Sequence, residues 1–228
     1  MNRLGLSLLQ LTTALARLVS RTNVKLCGVM SHLADVDDIE SVRQQIARFE
    51  ALELPAGLPR SLSSSGAVIK YPAAHMEWVR PGLMLYGASP FLDSTGKDWG
   101  LRPAMTFRSR VISVRDIQQG EAVGYGSTFI APHPMKVANV SGGYADGYPL
   151  GALTGTPILV DGLLTRTLGR VSMDKLCVDV SEIPGVRVGS EVIFWGPELP
   201  VEIVARAANS SPYELLTHIS NRVRAESV

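Results

Sequence analysis

The apolar pattern of this chain changes period partway along, and that change limits the folds open to it. Over residues 1–90, short apolar runs alternate with stretches whose apolar residues recur every three or four positions. NVKLCGVMSH (residues 23–32) suits a buried parallel strand. Asp37 and Asp38 can then cap a helix that puts Ile39, Val42, Ile46, Phe49 and Leu52 on one face. PRSLSSSGAVIKYP offers a second strand end with a serine-rich turn, and VRPGLMLYGAS a third strand. Repetition of strand, polar loop and helix implies a parallel sheet. The opening MNRLGLSLLQLTTALARLVS carries Leu6, Leu8, Leu9, Leu11, Leu15, Leu18 and Val19 at helical spacing with polar residues between them. It reads as an amphipathic helix and not as a signal peptide, because no compact apolar block precedes a small-residue cleavage site.

Beyond a polar Gly/Asp stretch at residues 91–101, read as a linker, the pattern becomes a series of short β segments. These are AMTFRSRVISVRD, EAVGYGSTFIA, KVANVSGGY, TPILVDGLLTRTLGRVSM, KLCVDVSEI and SEVIFWG. Asp161-Gly162 between apolar runs is a hairpin signal. A last helix, PYELLTHISNRV, follows a cap at Ser210 or Ser211. The expected domains are residues 1–95, α/β, and 96–228, β-rich.

A net charge of +1 gives no electrostatic case for nucleic-acid or membrane-surface binding. No apolar run approaches the roughly 20 residues that span a bilayer. Cys27 and Cys177 sit in apolar runs and read as buried thiols of a reducing compartment, hence a cytoplasmic protein. Two isolated cysteines supply no metal-ligand spacing.

Four phrases stand out: WVRPGLMLYG (residues 78–87), VGYGSTF (123–129), GYADGYP (143–149) and GRVSMDK (169–175). Taken singly, their residues have ordinary readings. Arg80 is a surface arginine beside a turn proline, the serines at 63–65 form a turn, His32 is a structural hydrogen-bonder, and Tyr125 sits in a glycine-rich hairpin. In this order and at these intervals, the phrases resemble alanine racemase, a pyridoxal 5'-phosphate (PLP) isomerase.

The resemblance covers essentially the whole chain. It implies the C-terminal portion of a (β/α)8 barrel followed by a mostly β C-terminal domain. Roughly three strands cannot close an eight-strand barrel, so the first part by itself is expected to expose parallel edges. The resemblance also implies a site. Arg80 would donate to the pyridine nitrogen and keep it unprotonated, since a guanidinium does not give up its proton. Ser65 and the backbone of Gly82 and Leu83 would bind the phosphate. His32 would lie beside the ring, and Arg3 would contact the phenolic oxygen and the substrate carboxylate.

Tyr125 would act as a catalytic base on one face of the substrate Cα, assisted by a histidine for which His32 is the candidate. Tyr144 and the Met173 amide would bind substrate, with Asp174 at the inner gate. These residues would come from the β domain of a second subunit. Asn221 stands where some members carry a phosphate-binding tyrosine. The family's other base is a lysine that also tethers the cofactor, in a phrase like KANAYGHG. Lys25, Lys70, Lys97, Lys136 and Lys175 do not lie in such a phrase.

The implied activity is interconversion of L- and D-alanine, with this chain inactive on its own. Expected partners are alanine and either a second copy in a homodimer or a separate N-terminal racemase half. A stand-alone non-catalytic partner of a racemase, or a racemase for another small amino acid such as serine, are the alternatives.

Overall fold

The structure is a computed structural model that describes residues 3–227. Met1 and Asn2, the start of the expected first helix, lie outside the described residues. The chain forms two compact units, residues 1–82 and 83–228.

The first unit holds a parallel sheet in the order β1 (Val29–Met30), β2 (Arg60–Ser64), β3 (Trp78–Arg80). Helix α1 (Leu8–Val19) starts with a capping box in which Ser7 and Gln10 satisfy each other's amides. Helix α2 (Ile39–Glu50) starts at Asp38, whose carboxylate accepts the Glu40 amide at 3.0 Å. Val42, Ile46 and Phe49 of α2 pack with Leu33, Leu62, Ala67 and Ala74 into a small core. In α1 only Leu15 is buried, while Leu8 and Leu9 are 69% and 87% exposed. An amphipathic helix has formed without most of its apolar face being covered.

Four expectations for this unit are corrected. The long strand at residues 23–32 contracts to two residues, because only the stretch beside β2 finds a hydrogen-bonding neighbour. The serines at 63–65 do not form a turn: Ser63 and Ser64 end β2, and Ser65 opens helix α3 (Ser65–Lys70). The third strand stops at Arg80, before Pro81, and Leu83–Tyr86 winds into a 3-10 turn. Cys27, read as buried, is exposed, since the segment around it lies outside the sheet.

The second unit is a closed, antiparallel six-strand barrel, in ring order β10-β7-β4-β11-β8-β9. Its strands are β4 (Phe107–Ile117), β7 (Met135–Ser141), β8 (Pro157–Val160), β9 (Leu163–Leu168), β10 (Lys175–Asp179) and β11 (Glu191–Trp195). The short pair β5 (Ala122–Val123) and β6 (Phe129–Ile130) stands apart from the ring. Asp161 and Gly162 take φ of 46° and 78° between β8 and β9, as a two-residue hairpin requires. β4 serves two neighbours. Residues 107–110 pair with β11 and residues 111–117 with β7, and a register shift between Val111 and Ser113 leaves Ile112 47% exposed. Closing the ring leaves no open edge.

Phe107, Tyr148, Phe194 and Trp195 fill the barrel interior with ring centroids 4.6 to 4.9 Å apart along the contacts from Trp195 through Phe107 and Phe194 to Tyr148. Helix α4 (Val201–Ala207), which the sequence reading passed over, and helix α5 (Pro212–Thr217), capped by Ser211, pack against this core. The stretch read as a linker is ordered. Thr95 and Asp98 form a capping box, and Phe91 packs on Trp99 at 4.9 Å. The buried Glu202 carboxylate accepts the amides of Ser89 and Gly96, each at 2.7 Å.

Candidate functional site

The sheet of the first unit is parallel, so its three strands end on the same side. Ser31 and His32 follow β1, Ser65 follows β2, and Arg80 and Gly82 close β3. Carboxyl ends of parallel strands are where such sheets gather ligand-binding groups, because the loops there converge.

Arg80 is half-buried. Its guanidinium donates to Ser61 Oγ and, at 2.6 Å, to the Ser31 carbonyl. Ser61 O–H donates a hydrogen bond to the Trp78 carbonyl at 2.9 Å, so its oxygen is oriented to accept from Arg80. These contacts use two of the five N–H groups of the fork and fix its plane. Burial lowers the Arg80 pKa from its ordinary value, yet a guanidinium stays charged near neutrality. His32 is next along the chain from Ser31. Partial burial lowers its imidazole pKa, and the charges of Arg80 and Arg3 push the same way. These effects favour the neutral imidazole, which accepts a hydrogen bond at one ring nitrogen and donates at the other.

Ser65 is 1% exposed, and its Oγ accepts the Gly82 amide at 2.9 Å. A side chain at Gly82 would meet nothing within 4 Å, and Gly82 has no positive φ. Neither the backbone nor packing within the chain demands glycine there. The open space beside an amide and a hydroxyl is what an anion approaching the backbone needs. Leu83, by contrast, buries its side chain in the barrel core, so only its backbone can serve a ligand.

The other three residues lie in the second unit, tied together by the segment 169–174. The Tyr144 amide donates to the Ser172 carbonyl at 3.1 Å, and the Ala145 amide to the Met173 carbonyl at 2.9 Å. A Cβ on Gly143 would fall 2.1 Å from the Ser172 oxygen, so only glycine permits this approach. Asp146 steadies the same loop, accepting the Gly143 amide at 2.9 Å and facing Arg222 at 3.6 Å.

Tyr125 sits on a one-turn 3-10 segment between β5 and β6. Gly124, Gly126 and Ser127 there take φ of 76°, 72° and 48°. That tight turn presses against Gly169 and Arg170 and leaves the phenol 73% exposed. Met173 and Tyr144 are also exposed, at 57% and 43%, and Asp174 pairs with Lys175 at 3.7 Å. Asn221 is exposed in the C-terminal segment.

The sequence reading missed Ser61 and Ser31, which hold Arg80, and Arg170, beside the Tyr125 turn. Their only sequence signal was polar residues at alternate positions of a strand (Ser61, Ser63) and an arginine inside GRVSMDK. Among the described residues, no group of three or more His, Cys, Asp or Glu could hold a metal ion. No described helix is long and apolar enough to cross a membrane.

The model of the alanine racemase C-terminal domain matches residues 104–227, and that of the alanine racemase N-terminal domain matches residues 1–90. The chain is 51% identical to an alanine racemase of Thiobacillus denitrificans, over all of this chain and 62% of that protein. It superimposes on the crystal structure of the biosynthetic alanine racemase of Pseudomonas aeruginosa with a TM-score of 0.92 and 45% identity, covering 98% of this chain and 63% of that one. An alanine racemase from Bartonella henselae with covalently bound pyridoxal phosphate matches with a TM-score of 0.85 and 29% identity, over 97% and 62% of the two chains. The protein is a pairing of a parallel α/β unit with a closed β barrel. It belongs to the alanine racemase family, whose enzymes depend on PLP, and spans less than two thirds of the length of these relatives.

Proposed function

We propose that this chain supplies the later part of a PLP-dependent alanine racemase, with residues 1–95 forming part of a (β/α)8 barrel and residues 96–228 the β domain. The observation that carries the reading is the convergence of Arg80, His32, Ser65 and Gly82 at one end of a parallel sheet, with Arg80 locked by Ser61 and Ser31.

The donor set fits the cofactor. PLP bound to the amino group of an amino acid withdraws electrons from Cα and makes its proton removable. Arg80 would donate to the ring nitrogen and, being permanently charged, would leave that nitrogen unprotonated. Neutral His32 would orient groups beside the ring. Ser65 Oγ and the amides of Gly82 and Leu83 would hold the phosphate, and Arg3 would hold the phenolic oxygen and the substrate carboxylate.

Racemisation needs a base on each face of Cα. Tyr125 would take or return the proton on one face. Its phenol ordinarily titrates near 10 and so needs neighbouring groups to lower that value, with His32 as the candidate. Tyr144 would narrow the mouth of the site and the Met173 amide would bind the carboxylate, which suits a small substrate. Their exposure in the single chain supports a homodimer in which the β domain of one copy serves the other. The two free thiols fit a cytoplasmic protein. The opposite base and covalent tether have no counterpart among the five lysines, so the chain by itself is expected to be inactive.

The test is D-alanine formation from L-alanine and PLP by the purified chain, alone and mixed with the segment of the T. denitrificans racemase that it does not match. Activity in the mixture only, lost at least ~100-fold with Tyr125→Phe, supports the reading. Activity of the chain alone overturns the missing-base argument. Silence in both, from folded proteins, overturns the enzymatic reading and leaves an interaction partner of a racemase.

A further inference from the structure

The loop that carries Tyr144 is held from two sides. On one side lie Ser172 and Met173, whose carbonyls accept the Tyr144 and Ala145 amides. On the other lies the segment 218–226. The Ser220 amide donates to the Asp146 carbonyl at 3.2 Å. A Cβ on Gly147, which takes a φ of 110°, would fall 2.6 Å from the His218 carbonyl oxygen. Glycine at this position lets the segment lie directly on the loop. The segment is itself anchored: Ile219 and Val223 pack against the barrel core, and Glu226 faces Arg108 of β4 at 3.5 Å. Asp146 joins the two. One carboxylate oxygen accepts the Gly143 amide at 2.9 Å, and the other faces Arg222 Nε at 3.6 Å. The Asp146 side chain is 15% exposed, so water screens this attraction less than at an open surface. The Tyr144 ring borders a cavity of about 280 Å³ that Leu150, Glu214 and His218 also line. With open space beside the ring, the loop backbone, more than packing, places it.

We propose that Arg222 is a positioning residue for Tyr144: acting through Asp146, it fixes the loop and so sets how readily an amino-acid substrate enters and binds. The part about substrate rests on the racemase reading, in which Tyr144 narrows the mouth of the site. Arg222 does not touch the reacting atoms. Its charge keeps the Asp146 carboxylate between two donors, the guanidinium and the Gly143 amide. The Arg222 amide donates to Ser220 Oγ at 3.3 Å, which ties the guanidinium to the residue whose own amide meets the Asp146 carbonyl. Without the guanidinium, the carboxylate gains by turning toward water, and the Gly143 amide loses its acceptor. Gly143 is next to Tyr144, so the phenol moves with it.

The first arm of the test reads Tyr144 directly and needs neither PLP nor activity, so its failure is distinct from failure of the racemase reading. The full chain is made with 3-fluorotyrosine at its six tyrosines, and Tyr144→Phe identifies the Tyr144 fluorine signal in the NMR spectrum. Arg222→Gln should move and broaden that signal while Tyr71 and Tyr86 stay in place. Arg222→Lys keeps the charge and should restore most of the parent position. Asp146→Asn keeps an oxygen for the Gly143 amide but no charge for Arg222. It should reproduce the Arg222→Gln spectrum, and the double variant should add nothing further. The second arm uses the mixture with the segment of the T. denitrificans racemase that this chain does not match. There Arg222→Gln should raise KM for alanine about tenfold with kcat within about twofold, and Arg222→Lys should recover most of that loss. A Tyr144 signal indifferent to Arg222→Gln, equal disturbance of all six tyrosines, or single-variant effects that simply add would each overturn the proposal. A fall in kcat at constant KM would overturn the role in substrate entry. A Tyr144 signal that responds as expected in a mixture without racemisation would leave the link from Arg222 to Tyr144 standing and remove the enzymatic reading.

Discussion

Ser65 Oγ accepts the backbone amide of Gly82 at 2.9 Å, joining the end of β2 to the turn that leaves β3. Replacing Ser65 with alanine removes that acceptor. Gly82 is exposed, so water can replace part of the bond, and the stability cost should be about 1 kcal/mol. PLP binding by the chain, followed by absorbance, should weaken several-fold more than the fold does. Equal loss in both measurements would reduce Ser65 to a structural role.

Gly143→Ala should be among the most damaging single changes in the second unit. Its Cβ would lie 2.1 Å from the Ser172 oxygen and 2.7 Å from the Met173 carbonyl carbon, both backbone atoms that cannot step aside. Opening this contact pulls the Tyr144 loop from the Met173 segment, and a loss of about 3 kcal/mol or more is expected in chemical denaturation. An unchanged midpoint would mean the two segments are not held as described.

Glu202 holds two backbone amides with one buried oxygen. Glu202→Ala strands both donors and should cost about 3 kcal/mol, whereas Glu202→Gln keeps a carbonyl acceptor and should cost nearer 1 kcal/mol. The ordering of the two variants in urea midpoint is the check.

The Tyr148 hydroxyl is buried without a hydrogen-bond partner among the described residues, and burial raises its pKa. Removing an unsatisfied hydroxyl relieves a desolvation penalty. Tyr148→Phe should therefore leave stability unchanged or raise it by up to about 1 kcal/mol. A clear drop would reveal a partner for the hydroxyl.

His32 should titrate below its ordinary value of 6.5, because burial and then Arg80 and Arg3 all disfavour its charged form. The unfolded chain then binds the proton more readily than the folded one. Stability from this group is present at neutral pH and declines as pH falls from about 6.5 through the folded pKa. An NMR titration should place the His32 ring below its ordinary value, and Arg80→Gln should raise it partway back, leaving the burial contribution.

The sequence carried much of the architecture on its own. The switch from helical period to short alternating runs marked an α/β part and a β part. Asp161-Gly162 announced its hairpin, because few residues tolerate two successive positive φ angles. The phrases around Arg80, Tyr125, Tyr144 and Met173 were legible only as an ordered set that resembles a family, since each residue taken singly has an ordinary local reading. Pairing was not. Residues 23–32 have strand composition, but only Val29 and Met30 pair, because a strand exists only where a neighbour supplies its hydrogen bonds. Ser61 as the holder of Arg80, Glu202 as the clasp on Ser89 and Gly96, and Ser172 as the reason for Gly143 depend on contacts 19 to 113 residues apart along the chain for the first two and 29 for the third. Local propensity determines which elements a segment can form. Which side chains then meet, and which sheet edge stays open, is decided only when those elements pack.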